Sequence, residues 1–371
     1  MTGELLDLAD WIRATGCTHV AMESTGSYWK PVYNLLELTD LKILVVNAKH
    51  IKAVPGRKTD VKDAEWIANL LRHGLLTSSF IPSREQRELR ELVRYRRSII
   101  DERSREVNRI QKVLEGANIK LTSVASNVVG ASGKSMLQAI CDGIEDPKVL
   151  AQLAQGTMRR KIEQLEKALS GLIGSHQKMI LRTQLKHIEF LDEQIQEIDR
   201  EIEERTRPFE EDLELVDSIP GIGKRTAENI IAEIGHDMSR FPTAAHLSSW
   251  AGIAPGNNES GGKRKSGKTP DGNKHLRSSL IEAAHAAARS KDNYLSAQYK
   301  KIAARRGKKR AAVAVAHTIL VIIYNLLKKK QPYMDLGANY FELLKKNTIV
   351  NRTVRRLEAL GYKVSLEEDI A

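Results

Sequence analysis

Cysteine is nearly missing from this sequence of 371 residues: only Cys17 and Cys141 occur. That excludes a disulfide scaffold and a paired-cysteine zinc site, and the usage fits a reducing cytoplasm. No basic segment followed by a long apolar run opens the chain, so no secretory signal is expected. Long apolar runs are missing elsewhere too. The most apolar stretch, Ala311–Leu327, is alanine-rich and interrupted by His317, Thr318, Tyr324 and Asn325; it predicts a buried helix rather than a membrane span. No internal repeat is present. Acid is short relative to base, with 47 Asp and Glu against 59 Lys and Arg and a formal net charge of +12. Such a chain gathers polyanions around itself, which makes nucleic acid the first partner to consider. The length implies about two or three domains.

What is present reads first as α/β. Residues 4–15 are an amphipathic helix, Thr18–Met22 a strand, Ser27–Glu37 a helix, Leu41–Val46 a second strand and Asp60–His73 a helix. Strand and helix in alternation predict an α/β domain over residues 1–80. From Ser83 to Glu115 the pattern turns helical and basic, with Arg84, Arg87, Arg90, Arg94, Arg97, Arg105 and Arg109 between the apolar positions. Residues 118–156 are small, polar and irregular, so 81–156 reads as a basic helix followed by short helices. Over 157–210, Leu165, Leu169, Leu172, Leu181, Leu185, Ile188, Leu191, Ile195, Ile198 and Ile202 keep near-heptad spacing, which predicts a coiled coil or a long helical hairpin. Such a segment commonly joins chains, so a homo-oligomer is expected. A mostly helical domain follows over 211–335, with a loop or loose hairpin at 255–274. The charged segment 336–371 is expected to be peripheral.

Three constellations carry chemistry. Glu23 lies where the first strand ends, the edge at which open α/β sheets place ligands. Asp60 and Asp63 are three apart at a helix start, so both can point the same way. Clustered carboxylates repel unless a cation offsets them, and an all-oxygen set suits Mg²⁺ and phosphate substrates. Taken alone, a helix cap and a surface glutamate explain these residues as well. The second constellation is Ser218-Ile-Pro-Gly221-Ile-Gly223-Lys224-Arg225 before a helix. A glycine turn there lets backbone N–H groups approach a phosphate, with Lys224 and Arg225 adding charge; it resembles a helix-hairpin-helix element that contacts the DNA backbone without reading sequence. The third is Ser260-Gly-Gly-Lys263-Arg264-Lys265, a serine on a cationic glycine loop. Lysine and arginine there would stabilise charge on phosphorus if the serine were activated, whereas such loops are more often linkers. A further basic cluster comprises Lys300, Lys301, Arg305, Arg306, Lys308, Lys309 and Arg310. With the row that contains Arg90, Arg94 and Arg97 it could track phosphates. Gly130-Ala-Ser-Gly133-Lys134-Ser135 is no P-loop, because Val128 stands where its first glycine belongs.

In this order, the strings Ala21-Met-Glu-Ser-Thr-Gly-Ser-Tyr-Trp29, Lys58-Thr-Asp-Val-Lys-Asp-Ala64, Ile219-Pro-Gly-Ile-Gly223, Trp250-Ala-Gly-Ile-Ala-Pro255, Ser260-Gly-Gly262 and His275-Leu-Arg277 resemble the DEDD-type insertion-sequence transposases of the IS one-ten family. The resemblance runs from about Ala21 to Tyr333. It implies an RNase H-like, resolvase-like N-terminal domain, a coiled-coil connector and a helical C-terminal transposase domain. It implies Mg²⁺ on Glu23, Asp60 and Asp63, and Ser260 as the nucleophile that bonds to a DNA end. It further implies double-stranded DNA as substrate, a guide (bridge) RNA whose base pairing chooses the target, an oligomer, and a place at the nucleoid of a bacterial or archaeal cytoplasm. The family's first aspartate belongs on a strand upstream of the opening helix, whereas Asp7 and Asp10 lie within that helix. The expectation is therefore a sheet short of strands, a metal site short of one ligand, and impaired catalysis. A nucleic-acid-binding remnant without catalysis is the alternative reading.

Overall fold

The computed structural model describes residues 1–47, 60–256, 258–344 and 346–365, with the backbone alone at 60–62, 258–260, 263–265 and 347–349. The chain divides into two compact units, Met1–Ser83 and Arg84–Ala371.

The first unit is α/β. Helix α1 (Thr2–Ala14) is followed by strand β1 (His19–Glu23), α2 (Trp29–Leu36), β2 (Lys42–Val46) and α3 (Asp60–Arg72). Strands β1 and β2 pair in parallel, with His19 opposite Lys42 and Glu23 opposite Val46. The Ile-Leu-Val-Val run of β2 buries Val45 and Val46 completely, as a strand covered on both faces should. Ala9 and Ile12 of α1 pack with Leu36, Val20 and Ile43 to form the small core. Asp7 and Asp10 lie exposed on α1. Among the described residues this sheet has two strands.

The second unit is helical and built on two long helices, α4 (Arg84–Gly116) and α8 (Ser175–Thr206), each about 50 Å long by helical rise. They run antiparallel: Arg205 pairs with Glu88, Arg96 with Asp199 and Arg103 with Asp192 along their length. Leu181, Leu185, Ile188, Leu191, Ile195 and Ile202 of α8 are buried, as are Leu89, Val93, Ile99, Ile110 and Leu114 of α4. The near-heptad seam of α8 is thus filled by a helix of the same chain, not by a second copy.

The segment read as irregular is a packed cap. Helices α5 (Ala131–Cys141), α6 (Pro147–Ala151) and α7 (Ile162–Leu169) enclose Met136, Leu137, Ile140, Leu150 and Leu165 against Ile110, Leu114 and Leu181. Its small residues are what allow the close packing. A Cβ on Gly133 would run into the backbone of Val128, and one on Gly171 into that of Ala117.

The remaining helices surround α14 (Lys308–Lys329). They are α9 (Glu210–Asp217), α10 (Lys224–Ile234), α11 (Ala244–Trp250), α12 (Lys274–Arg289) and α13 (Tyr294–Arg306). By length and composition α14 could cross a membrane, but Ala311, Val315, Ile319 and Ile323 are wholly buried and it packs on α9, α11, α12 and α13. The final segment is not wholly peripheral. It holds α15 (Tyr340–Leu343) and α16 (Lys346–Ala359); Phe341 of α15 stacks on Tyr294 at 5.3 Å, and Asp335, just before the segment, accepts a hydrogen bond from Tyr294 N at 3.0 Å.

Candidate functional site

Glu23 is the last residue of β1, half-buried, and its Oε1 accepts a hydrogen bond from Thr25 Oγ1. Ser24 N donates to Val46 O at 2.9 Å, fixing the chain as it leaves the strand. Asp60 and Asp63 occupy the first turn of α3, which packs alongside β1. The side chain of Asp60 and residues 48–59 lie outside the described residues. Among the described residues no three His, Cys, Asp or Glu side chains converge as a metal site. The donor chemistry itself, carboxylate oxygens at a strand end and a helix start, fits a hard divalent cation.

The loop at 255–274 contains a short hairpin. Strand β3 (Asn258–Ser260) pairs antiparallel with β4 (Lys263–Ser266), and Ser260 stands opposite Lys263. Gly261 and Gly262 form the two-residue turn with φ of +58° and +72°, the conformation that tight hairpins demand and that glycine adopts without strain. Ser260 therefore sits at the base of the turn, with Lys263, Arg264 and Lys265 on the return strand.

The neck of this hairpin is closed by glycines. A Cβ on Gly252 would fall 2.7 Å from Gly272 N, and one on Gly256 would run into Lys268 O. Arg277 Nη1 donates to Gly252 O at 3.2 Å. Asn273 caps α12, its Oδ1 accepting from the N–H groups of His275 and Leu276 at 3.1 Å each. Its Nδ2 donates to Glu233 Oε2 at 2.6 Å.

Glu233, 2% exposed on α10, is the centre of a buried ionic knot. Arg94 binds it bidentately at 2.7 and 2.8 Å, and Arg90 Nε stands 3.3 Å from it. Burial pushes the Glu233 carboxyl up, but the hydrogen bonds from Arg94 and the charges of Arg90 and Arg94 outweigh it and hold the carboxyl below its usual range. Arg90 also donates to the carbonyls of Ala232 and Glu233 at 3.2 and 2.5 Å, at the negative end of α10. Burial lowers its guanidinium to about 10. Burial, and then the charge of Arg94, hold the His275 imidazole below its ordinary value. A second knot lies one turn along α4. Arg96, 2% exposed, binds Glu228 at 2.6 Å, Asp199 at 2.8 Å and Asn229 at 3.0 Å. Arg97 binds Glu282 of α12 at 2.9 and 2.6 Å.

Arg90 and Arg94, expected from sequence to meet phosphates, bind Glu233 of α10, and Arg97 binds Glu282 of α12; the Arg94 and Arg97 side chains stay 36% and 39% exposed. Sequence reasoning missed their partners. The available signal was Glu228 and Glu233 falling among the apolar positions Ala227, Ile230, Ile231 and Ile234 of the helix.

Helices α9 and α10 are joined by the turn at 218–223, whose two glycines differ. Gly221 (φ +91°) faces inward: a Cβ there would lie 2.9 Å from the Cα of Ala287 on α12. Gly223 caps α10 and has open space at its Cβ position. Lys224 pairs with Glu203 at 2.8 Å and Arg225 with Asp199, both on exposed surface.

Comparison with known proteins gives a consistent picture. Residues 2–119 match a family model for the DEDD transposases of IS110, and residues 213–300 match one described as the transposase IS116/IS110/IS902 family. The chain is 26% identical over 325 residues to the transposase for insertion sequence element IS1111A of Coxiella burnetii, covering 86% of this chain and 79% of that protein. It is 32% identical over 122 residues to the pilin gene-inverting protein of Moraxella bovis, covering 32% of this chain and 38% of that protein. An uncharacterized 43.6 kDa protein of insertion element IS110 from Streptomyces coelicolor is 41% identical over 70 residues, or 19% of this chain and 17% of that protein. Two matches to one family, at the carboxylate-bearing unit and at the body that carries the serine hairpin, place this chain in the IS110 family of transposases.

Proposed function

We propose that this chain cleaves and rejoins DNA strands during movement of an insertion sequence, with Ser260 as the nucleophile and Glu23, Asp60 and Asp63 as holders of Mg²⁺. The observation that carries the reading is the placement of these residues. The three carboxylates fall inside the first family match and Ser260 inside the second, and Ser260 stands at a tight glycine turn facing a strand of three cations. The first unit is read as an RNase H-like domain that has its carboxylates at the end of β1 and the start of α3. Mg²⁺, when bound there, would polarise a phosphodiester and stabilise charge on its oxygens.

In this reading the Ser260 oxygen bonds to phosphorus as one phosphodiester P–O bond breaks, and the departing deoxyribose hydroxyl takes up a proton. Rejoining exchanges the serine ester for a different hydroxyl, so no oxidant and no net hydrolysis are required. Lys263, Arg264 and Lys265 offset the charge that develops on phosphorus. The glycine neck and the Asn273–Glu233 contact keep the hairpin in one place. At the α9–α10 turn, Gly223, Lys224 and Arg225 approach a phosphate. Arg90, Arg94 and Arg97 hold α10 and α12 in position. A guide RNA supplies the target choice, as the family resemblance implies. An assembly of copies would have to use a surface other than the seam of α8, which α4 fills.

The test is a denaturing gel of the protein incubated with Mg²⁺ and DNA that carries the element's own ends. Wild type should show a covalent protein–DNA adduct. Ser260→Ala should lose it while keeping duplex affinity within about two-fold, since the hydroxyl contributes chemistry rather than charge. An adduct that persists in Ser260→Ala would remove Ser260 from this role.

A further inference from the structure

We infer that the elbow between α13 and α14 is the surface by which this chain grips the phosphodiester backbone of duplex DNA. The inference rests on the reading of the chain as a DNA-acting transposase and adds the place of contact.

The charge of this protein is sorted in space. Four arginines of α4 face carboxylates: Arg90 and Arg94 meet Glu233, Arg96 meets Glu228 and Asp199, and Arg97 meets Glu282. Their positive charge is largely neutralised before any ligand arrives. At the elbow the opposite holds. Lys300, Lys301, Arg305, Arg306, Lys308, Lys309 and Arg310 fall within eleven residues around Gly307, and no Asp or Glu occurs anywhere between Asp292 and Asp335. All but Lys301 are exposed. None of the seven enters an ion pair among the described residues; Lys301 alone has a partner, the ring of Phe341 at 4.0 Å.

Three of these cations also sit where a helix least favours them. Lys308, Lys309 and Arg310 form the first turn of α14, which has no acidic residue in that turn and no side-chain cap from Gly307. The helix dipole is positive there, so each cation is held against it. An arrangement that is unfavourable within the chain and uncompensated by it is relieved by an external polyanion, whose counterions are released on contact. The residues between the cations are Ile302, Ala303, Ala304 and Gly307. None of these is aromatic, and the neighbouring Phe341 ring is half-buried, taken by Lys301 and stacked on Tyr294, so the cations are not interleaved with rings on which single strands stack their bases. A duplex, which presents only its backbone, fits better.

The experiment measures binding of the full chain to a labelled DNA duplex of arbitrary sequence over a range of salt concentrations. The tested variant carries Arg305→Gln, Arg306→Gln, Lys308→Gln and Lys309→Gln, changes that keep helix propensity and touch no packed contact. Affinity at low salt should fall on the order of 10- to 100-fold, and the slope of log K against log salt should flatten by roughly 0.9 per lost contact. The thermal midpoint should stay that of wild type. The pair Arg305→Gln/Lys309→Gln should show the same effect at about half size in slope, which guards against a folding failure of the quadruple variant. Arg97→Gln should leave the salt slope alone. Wild-type slope and affinity in the quadruple variant would overturn the assignment while leaving the transposase reading in place. Loss of binding to an RNA hairpin with duplex DNA binding intact would also overturn it. Failure of wild type to bind duplex at any salt would instead count against the functional reading itself.

Discussion

Replacing Glu233 with alanine removes the acceptor that α4, α10 and the cap of α12 share. The wild-type carboxylate is 2% exposed and receives hydrogen bonds from Arg94 and from Asn273 Nδ2, with Arg90 beside it. Arg90, 12% exposed in the wild type, would keep only the carbonyls of Ala232 and residue 233. Arg94, at 36% exposure, turns to water at smaller cost. Breaking a buried pair by deleting one partner costs about 3–5 kcal/mol, and the exposure of Arg94 places this case at the lower end. In a unit of this size each kcal/mol moves the midpoint by about 2 °C, so Glu233→Ala should melt roughly 6–8 °C below wild type. The pH dependence gives a second check. A carboxyl whose folded-state pKa is depressed contributes stability that is present above its unfolded value, about 4.3, and that is lost as pH falls through the folded value. The acid limb of a stability–pH curve should therefore be shallower in Glu233→Ala than in wild type. Scanning calorimetry from neutral pH into the acid range measures both. A variant that melts within about 2 °C of wild type, on an acid limb of the same slope, would refute the argument that this knot holds the three helices together.

Three further outcomes follow from the site. Gly221→Ala places a Cβ against the backbone of α12 at a positive φ, and should cost roughly 2–4 kcal/mol in urea unfolding; a neutral result would mean that α12 can retreat. Gly272→Ala wedges the neck of the hairpin, so tryptic cleavage at Lys263–Lys265 should accelerate about 10-fold while the global midpoint changes less than in Gly221→Ala; unchanged cleavage would show that the neck does not restrain the hairpin. Asp63→Asn should raise the Mg²⁺ needed for half-maximal adduct formation about 10-fold or more, and an unaltered Mg²⁺ requirement would take Asp63 out of the metal site.

Local chemistry made some of this structure legible in the sequence. Gly261-Gly262 announced a hairpin because few other residues hold two consecutive positive φ values, and Pro220-Gly221 announced the turn before α10. The near-heptad spacing of α8 showed a packed seam, but spacing is silent about the partner. Any helix with a matching apolar stripe can fill it, and α4 does, about a hundred residues earlier in the chain, as the Arg96–Asp199 pair records. An arginine row has the same ambiguity. Arg90, Arg94 and Arg97 look alike in sequence whether they face phosphates or carboxylates, and Glu233 lies too far along the chain for any local pattern to join them. For the short helices expected over residues 118–156, the packing partners were hidden for a different reason. Gly133, Ala139 and Ala151 pack closely because they are small, and small residues give a weak periodic signal.

The pairing of α4 with α10 also bears on the order in which the molecule can be made. Arg90 reaches the carbonyl of a residue 143 positions later. At a synthesis rate of about 5–20 residues per second, α4 leaves the ribosome roughly 7–30 s before its partner exists. During that interval Arg90 and Arg94 have no Glu233 to meet, and the apolar stripe of α4 is uncovered until α8 (Ser175–Thr206) has followed. The nascent chain then carries two arginines without the carboxylate that joins them in the finished protein. Closing the Glu233 knot therefore does more than fix three helices: it ends an interval in which Arg90 and Arg94 stand without their carboxylate.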